Sequence, residues 1–179
     1  MDFHEMTIAG LRRELPICPI NDKVDIAAFI MFGDVELTVA SARDLLAKCP
    51  EFDIILTPEA KSIPLAYEMA RQSGKPYLVA RKGMKLYMTD PIEVSVKTIT
   101  TANEQHLFIS SEEADRIMGR RILIVDDVIS TGESLKAVEA LIAKSGGTVA
   151  GKAAVLAEGD AANREDIIFL EPLPLFIKD

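Results

Sequence analysis

The chain has 179 residues, 49% of them hydrophobic, which suffices for one substantial core and a single domain. Its 28 acidic residues outnumber 20 basic ones for a formal charge of −8, which argues against a nucleic-acid binder with a basic face. A small anion held in a local basic pocket stays compatible with that balance. Cys18 and Cys49 lack metal-type spacing and read as reduced thiols of a cytoplasmic protein. The opening MDFHEMTIAG has no basic segment followed by an apolar one, and no apolar run approaches the roughly 20 residues of a membrane span. Neither a leader peptide nor a membrane or nucleic-acid partner is expected.

Residues 1–25 read as a small N-terminal appendage. A strand is expected over 26–32 (IAAFIMF), then a helix over 35–47 with Leu37, Ala40, Leu45 and Leu46 near one face. Next come a strand over 53–57 (DIILT), a helix over 63–72 carrying Leu65, Ala66 and Met69, and a strand over 76–80 (PYLVA). Residues 83–104 break the rhythm: a Gly- and Pro-punctuated loop leads into alternating residues that suit an antiparallel pair with 105–110. A strand over 122–125 (ILIV) and a helix over 132–144 follow, with Gly146-Gly147 as the helix stop and a strand over 148–156 after it. Such alternation predicts an α/β fold with a mainly parallel central sheet flanked by helices. No internal repeat or linker divides the chain.

The stretch RRILIVDDVISTGES, residues 120–134, ends its apolar run on two adjacent aspartates. Ligands of open α/β sheets bind beyond the carboxyl ends of buried parallel strands, where Asp126 and Asp127 are expected. The following Ser130, Thr131, Gly132, Glu133 and Ser134 turn into a helix whose first turn offers free N–H groups, hydroxyls and the positive end of the macrodipole. Together these features suit a sugar phosphate, with the phosphate on the turn and the ribose hydroxyls on the carboxylates, directly or through a magnesium-bound water. The same residues also read as ordinary helix caps.

The stretch resembles the signature of type I phosphoribosyltransferases: an apolar strand, two acidic residues, two apolar residues, then a Ser/Thr-Thr-Gly-Gly-Thr/Ser turn. The resemblance implies that family's fold, with a flexible loop, an antiparallel flap and a small N-terminal hood. It also implies that Ser130 to Ser134 bind the 5-phosphate of phosphoribosyl pyrophosphate (PRPP). Asp126 and Asp127 would then address the ribose hydroxyls and the magnesium ion that accompanies PRPP. Glu133 departs from the family's second glycine; it suits the helix dipole yet adds negative charge beside an anion site.

Other segments extend the resemblance over about residues 24–176. Glu59, Ala60, Lys61 and Ser62 resemble the pyrophosphate loop, with Lys and Ser where Arg and Gly are common; the family often has a cis peptide there. Arg81 and Lys82 are similar to an Arg-Lys pair that faces pyrophosphate in adenine- and xanthine-type members, and Lys85 adds a cation from the loop. By resemblance Arg81, Lys82, Asp126 and Asp127 form the catalytic set. Each basic residue also reads as a solvated side chain at a strand end. The family's Glu-Tyr pair on the flexible segment is matched by Thr100-Thr101, so no proton-handling residue carries over. His4 and His106 are read as structural.

On the base side the implied contacts are Val128, Glu158 and, from the hood segment 17–32, Phe29 as a stacking ring or as plain core. A carboxylate at Glu158 accepts hydrogen bonds and suits the exocyclic amine of adenine, though it equally reads as a surface residue in a turn. The implied activity is a purine phosphoribosyltransferase of purine salvage, adenine first. The alternatives are a xanthine- or guanine-type enzyme and a non-catalytic PRPP or purine sensor, the last because the middle of the chain is also similar to the purine-repressor effector domain. A homodimer is expected by analogy.

Overall fold

The computed structural model describes residues 2–97 and 104–178. Along them run β1 (Phe3–Ile8), β2 (Leu11–Pro19), β3 (Val24–Ala27), α1 (Val35–Lys48), β4 (Ile54–Pro58), α2 (Ile63–Ser73), β5 (Tyr77–Ala80), β6 (Ile92–Lys97) and β7 (Glu104–Ile109). Then follow α3 (Ser111–Ile117), β8 (Arg121–Ile129), α4 (Glu133–Lys144), β9 (Thr148–Glu158), a 3-10 turn (Gly159–Asn163), β10 (Ile168–Leu173) and β11 (Leu175–Ile177).

Five strands make an all-parallel sheet in the order β10-β9-β8-β4-β5, with β8 at its centre. Residues 122–125 of β8 are at most 1% exposed because both faces of the sheet are covered. Side-chain alternation splits them between two cores. Ile122 and Ile124 join Ile54, Leu56 and the α4 residues Leu135, Val138 and Leu141. Leu123 and Val125 join Ile55, Leu45 of α1, and Leu65 and Met69 of α2. Each such burial contributes about 1.5–3 kcal/mol, so the strand that carries the two aspartates is anchored from both sides. No helix among the described residues is long and apolar enough to cross a membrane.

The flap appears as expected: β6 and β7 pair antiparallel from Ile92↔Ile109 to Lys97↔Glu104, and Arg81 bridges Phe108. Other expectations are corrected. The run 26–32 is not one strand; β3 ends at Ala27, and an irregular segment leads to Asp34. The Asp34 carboxylate caps α1 by accepting from the Leu37 N–H at 3.1 Å and is gripped by Arg13 at 2.7 Å, which holds it below the usual carboxylate range. The run is apolar because Phe29 and Met31 are core, 4% and 1% exposed.

Both β8 and β9 outlast their apolar stretches, pairing Asp126↔Ala154 and Ile129↔Ala157. The acidic pair is therefore inside the ladder rather than past it, because β9 runs on beside it as far as Glu158. The small N-terminal appendage is built on a sheet: residues 3–27 and β11 give the order β1-β2-β3-β11, antiparallel throughout, with a hairpin turn at Ala9-Gly10 where φ is 50° and 80°. Helix α3, not foreseen, opens on a capping box between Ser110 and Glu113.

Candidate active site

The carboxyl ends of β4 and β8 open into a cavity of about 410 Å³ walled by Glu59, Lys61, Lys82, Asp126, Asp127 and residues 104–107 of the flap. A second cavity of about 100 Å³ adjoins it, sharing Asp126, Val128 and Ser134, and is lined by Ser130, Thr131, Gly132 and Glu133 as they enter α4. Gly132 makes that turn with φ 82°, a region glycine enters at no steric cost. The N–H groups that open a helix have no acceptor within it, and that of Glu133 reaches Thr131 Oγ1 at 3.5 Å.

Asp127 is 3% exposed; its Oδ1 accepts the Val128 N–H at 2.9 Å, and its Oδ2 lies 3.3 Å from Lys61 Nζ without a hydrogen-bond partner. Asp126 Oδ1 accepts the Asp127 N–H at 2.8 Å. Burial, and then the adjoining Asp127 carboxyl, push Asp126 up to about 8, so the free pair resists carrying two charges. A cation relieves that conflict. Among the described residues no cluster of three or more His, Cys, Asp and Glu is placed to hold a metal. A hard cation at this pair would take its other oxygens from water or substrate, which is the habit of magnesium, and the unpartnered Asp127 Oδ2 fits it.

The loop from β4 to α2 faces this pair. The Glu59–Ala60 peptide is cis. Glu59 accepts the Lys82 N–H at 2.9 Å and lies 3.5 Å from Arg81 Nε; the Lys82 bond first, and the nearby cations after it, keep its carboxyl below the ordinary range. Ala60 and Lys61 line the larger cavity. Ser62 lines it too, but is 1% exposed, and its hydroxyl is engaged 2.7 Å from Thr57 Oγ1 and 3.2 Å from Pro58 O. Thr57 in turn donates to Val125 O at 2.8 Å, so Ser62 ties the loop to β8.

Most sequence-predicted residues thus converge, and four, Phe29, Arg81, Lys85 and Glu158, line neither cavity. Phe29 sits in the core among the hood, α1 and α2, so its ring has no open face for a base. Lys85 lines neither cavity; its carbonyl closes a turn with the Met88 N–H at 3.0 Å. Glu158 lines neither cavity, yet accepts from Ser130 Oγ at 2.9 Å and so touches the turn before α4. Val128 lines both cavities, while Arg81 turns toward Glu59 with its guanidinium 6.0 Å over the Tyr87 ring. Thr100-Thr101 lies outside the described residues.

Two further residues enter: His106, read as structural from the sequence, and Arg164, which the sequence did not single out. His106 lines the larger cavity; it lies on β7, whose Phe108 bridges Arg81 just past the end of β5. Arg164 Nη1 lies 2.8 Å from where a Cβ on Gly132 would stand, while its other nitrogens grip Asp166 at 2.7 and 2.8 Å. Neither placement leaves a local signature, because both depend on distant segments meeting.

Residues 34–172 match the family model of the phosphoribosyl transferase domain. An adenine phosphoribosyltransferase of Kosmotoga olearia is 32% identical over 141 residues, covering 78% of this chain and 74% of that protein. A hypoxanthine/guanine phosphoribosyltransferase of Methanocella paludicola is 30% identical over 144 residues, covering 80% and 69%. The crystal structure of adenine phosphoribosyltransferase from Thermoanaerobacter pseudethanolicus shares the fold at a TM-score of 0.67, with 22% identity and 95% of each chain covered. A match over most of the chain, joined to relatives named for purines and to the acidic pair leading into a glycine turn, shows that the chain belongs to the type I phosphoribosyltransferase family, in its purine branch.

Proposed function

We propose that the protein transfers the 5-phosphoribosyl group of PRPP to a purine, adenine first, yielding AMP and pyrophosphate. The observation that carries this reading is the continuity of the two cavities across Asp126. One presents the amides and hydroxyls of residues 130–134, the other Lys61 and Lys82, with the acidic pair between them. A phosphate, a ribose diol and a pyrophosphate fit that sequence of environments.

A purine nitrogen attacks C1 of the ribose, and the C1–O bond breaks with its electron pair leaving on pyrophosphate. The turn before α4 fixes the 5-phosphate, and Asp126 and Asp127 orient the ribose hydroxyls, so that C1 stands in line between base and leaving group. Lys61 and Lys82 stabilise the charge that develops on pyrophosphate, and Arg81 holds Glu59 beside them. Strand β7 walls the cavity and limits water at C1. Asp126 and Asp127 would hold the magnesium that accompanies PRPP, directly or through water, and it would supply positive charge to the donor's oxygens. A cytoplasmic homodimer acting in purine salvage completes the reading.

Adenine is placed first on the strength of the Kosmotoga relative, an adenine phosphoribosyltransferase 32% identical over 141 residues; Glu158 is bonded to Ser130 and lines neither cavity, so it does not choose the base. The Methanocella relative, at similar identity, supports hypoxanthine or guanine as a second reading. Assays of PRPP-dependent loss of adenine, hypoxanthine, guanine and xanthine decide. Adenine is expected to lead by at least about 10-fold in kcat/KM. Turnover of an oxopurine without adenine overturns the base assignment, and loss of no base at all leaves only a sensor.

A further inference from the structure

Transfer to a purine leaves one proton to be removed, since the N–H of the five-membered ring must be given up as the new bond to C1 forms. The acidic pair is placed for the ribose, and each aspartate already accepts a backbone N–H. Lys61 and Lys82 are cations. On the flap side of the same cavity, however, stands His106. Its Nδ1 lies 2.6 Å from Glu93 Oε1 on β6, and its ring stacks on Phe108 with centroids 6.3 Å apart at 21°.

A carboxylate only accepts, so the Glu93 bond places the ring proton on Nδ1 and leaves the Nε2 lone pair available. Glu104 Oε2 lies 3.7 Å from Nε2, too long for a hydrogen bond. The charged groups around the ring are thus Glu93 and Glu104 on the flap, with Lys61, Lys82, Asp126 and Asp127 on the other walls of the cavity. A histidine oriented by one carboxylate and flanked by a second is built to take up a proton.

We infer that His106, held by Glu93, accepts the purine ring N–H proton at Nε2 during phosphoribosyl transfer. The bond from the purine nitrogen to C1 forms and the C1–O bond breaks toward pyrophosphate. The N–H electron pair stays in the purine ring while the proton passes to imidazole. This step rests on the transferase reading above.

Single-turnover rates of His106→Gln, His106→Ala and Glu93→Gln test it. His106→Gln keeps a donor for Glu93 but has no basic nitrogen, and is expected to slow transfer about 100-fold with PRPP affinity within about twofold of wild type. His106→Ala slows alike, and free imidazole restores at least about 10-fold of the lost rate. Glu93→Gln acts as a positioning change and costs about 10-fold. A His106→Gln variant that keeps more than half the wild-type rate overturns the inference. So does a loss confined to PRPP affinity, or an alanine variant that imidazole does not help. Wild-type protein that neither binds PRPP nor consumes any base sinks the transferase reading itself, a result distinct from an active variant.

Discussion

Replacing Asp126 and Asp127 together by asparagine is expected to lower kcat/KM for PRPP about 1,000-fold, on the order of 4 kcal/mol, while making the free protein more stable at pH 8. The two effects have one cause. The carboxyl groups sit side by side where the 3%-exposed Asp127 is almost cut off from water, and where a single lysine, Lys61, lies 3.3 Å away. That environment favours a ligand carrying hydroxyls and a cation, and penalises the empty site.

The sign of the pH effect follows from Asp126, whose carboxyl is raised to about 8 by burial first and by Asp127 second. An unfolded chain releases that proton near the ordinary aspartate value of about 4, whereas the folded chain keeps it. Between those values the native state binds more protons, so this group's contribution to stability is present at low pH and is lost as pH rises toward 8. Asp126→Asn removes the dependence. Its advantage over wild type in chemical denaturation is expected to be largest at pH 8, on the order of 2 kcal/mol, and to fade toward pH 4. Asp53, lowered to about 2 chiefly by its hydrogen bond from the Arg121 side chain, works in the opposite sense and below this window. Equal stability of wild type and Asp126→Asn from pH 5 to pH 8 contradicts the account of the pair.

Gly132→Ala is expected to weaken PRPP binding about 100-fold and to cost about 1–2 kcal/mol of stability. At φ 82° an L-residue is strained, and a Cβ there meets Arg164 Nη1 at 2.8 Å. Arg164 cannot easily withdraw, because Asp166 holds two of its nitrogens and Lys152 links Asp166 to Glu139 on α4 through contacts of 3.3 and 2.5 Å. The strain therefore moves the turn itself, and the amides of the first turn lose their common focus. Gly74→Ala separates strain from function: φ there is 70°, no atom lies within 4 Å of the added Cβ, and Gly74 lines neither cavity. It is expected to cost about 1 kcal/mol in a denaturation curve and to leave KM for PRPP unchanged. Equal effects of the two alanines on KM contradict the role given to the turn.

The sequence displayed the sheet and the glycine turn before α4 because both depend on neighbours in the chain. A run of four apolar β-branched and leucine residues at 122–125 reads as a doubly buried strand wherever it lies, and the glycine of an anion turn must follow within a few residues. Helices α1, α2 and α4 likewise announce themselves by a stripe and an end signal. Helix α3 spans two turns, too short for a stripe, and only its capping box marked it. No strand was expected over 1–25: FHEMTI and LRRELPICP alternate only in part, and the closing partner β11 comes from the far end of the chain. Phe29 misled because an apolar run reports burial before it reports which element is buried. The site positions of His106 and Arg164 were out of reach for the same reason as β11: tertiary contact alone creates them.

The most direct test is calorimetric titration of the protein with magnesium and PRPP, beside the same titration of the double asparagine variant. The account predicts a saturable heat for wild type that is lost in the variant although the variant remains folded. Absence of heat in the wild type, or an unchanged titration after both carboxylates are neutralised, contradicts the assignment of the β8–α4 junction as the phosphoribosyl site.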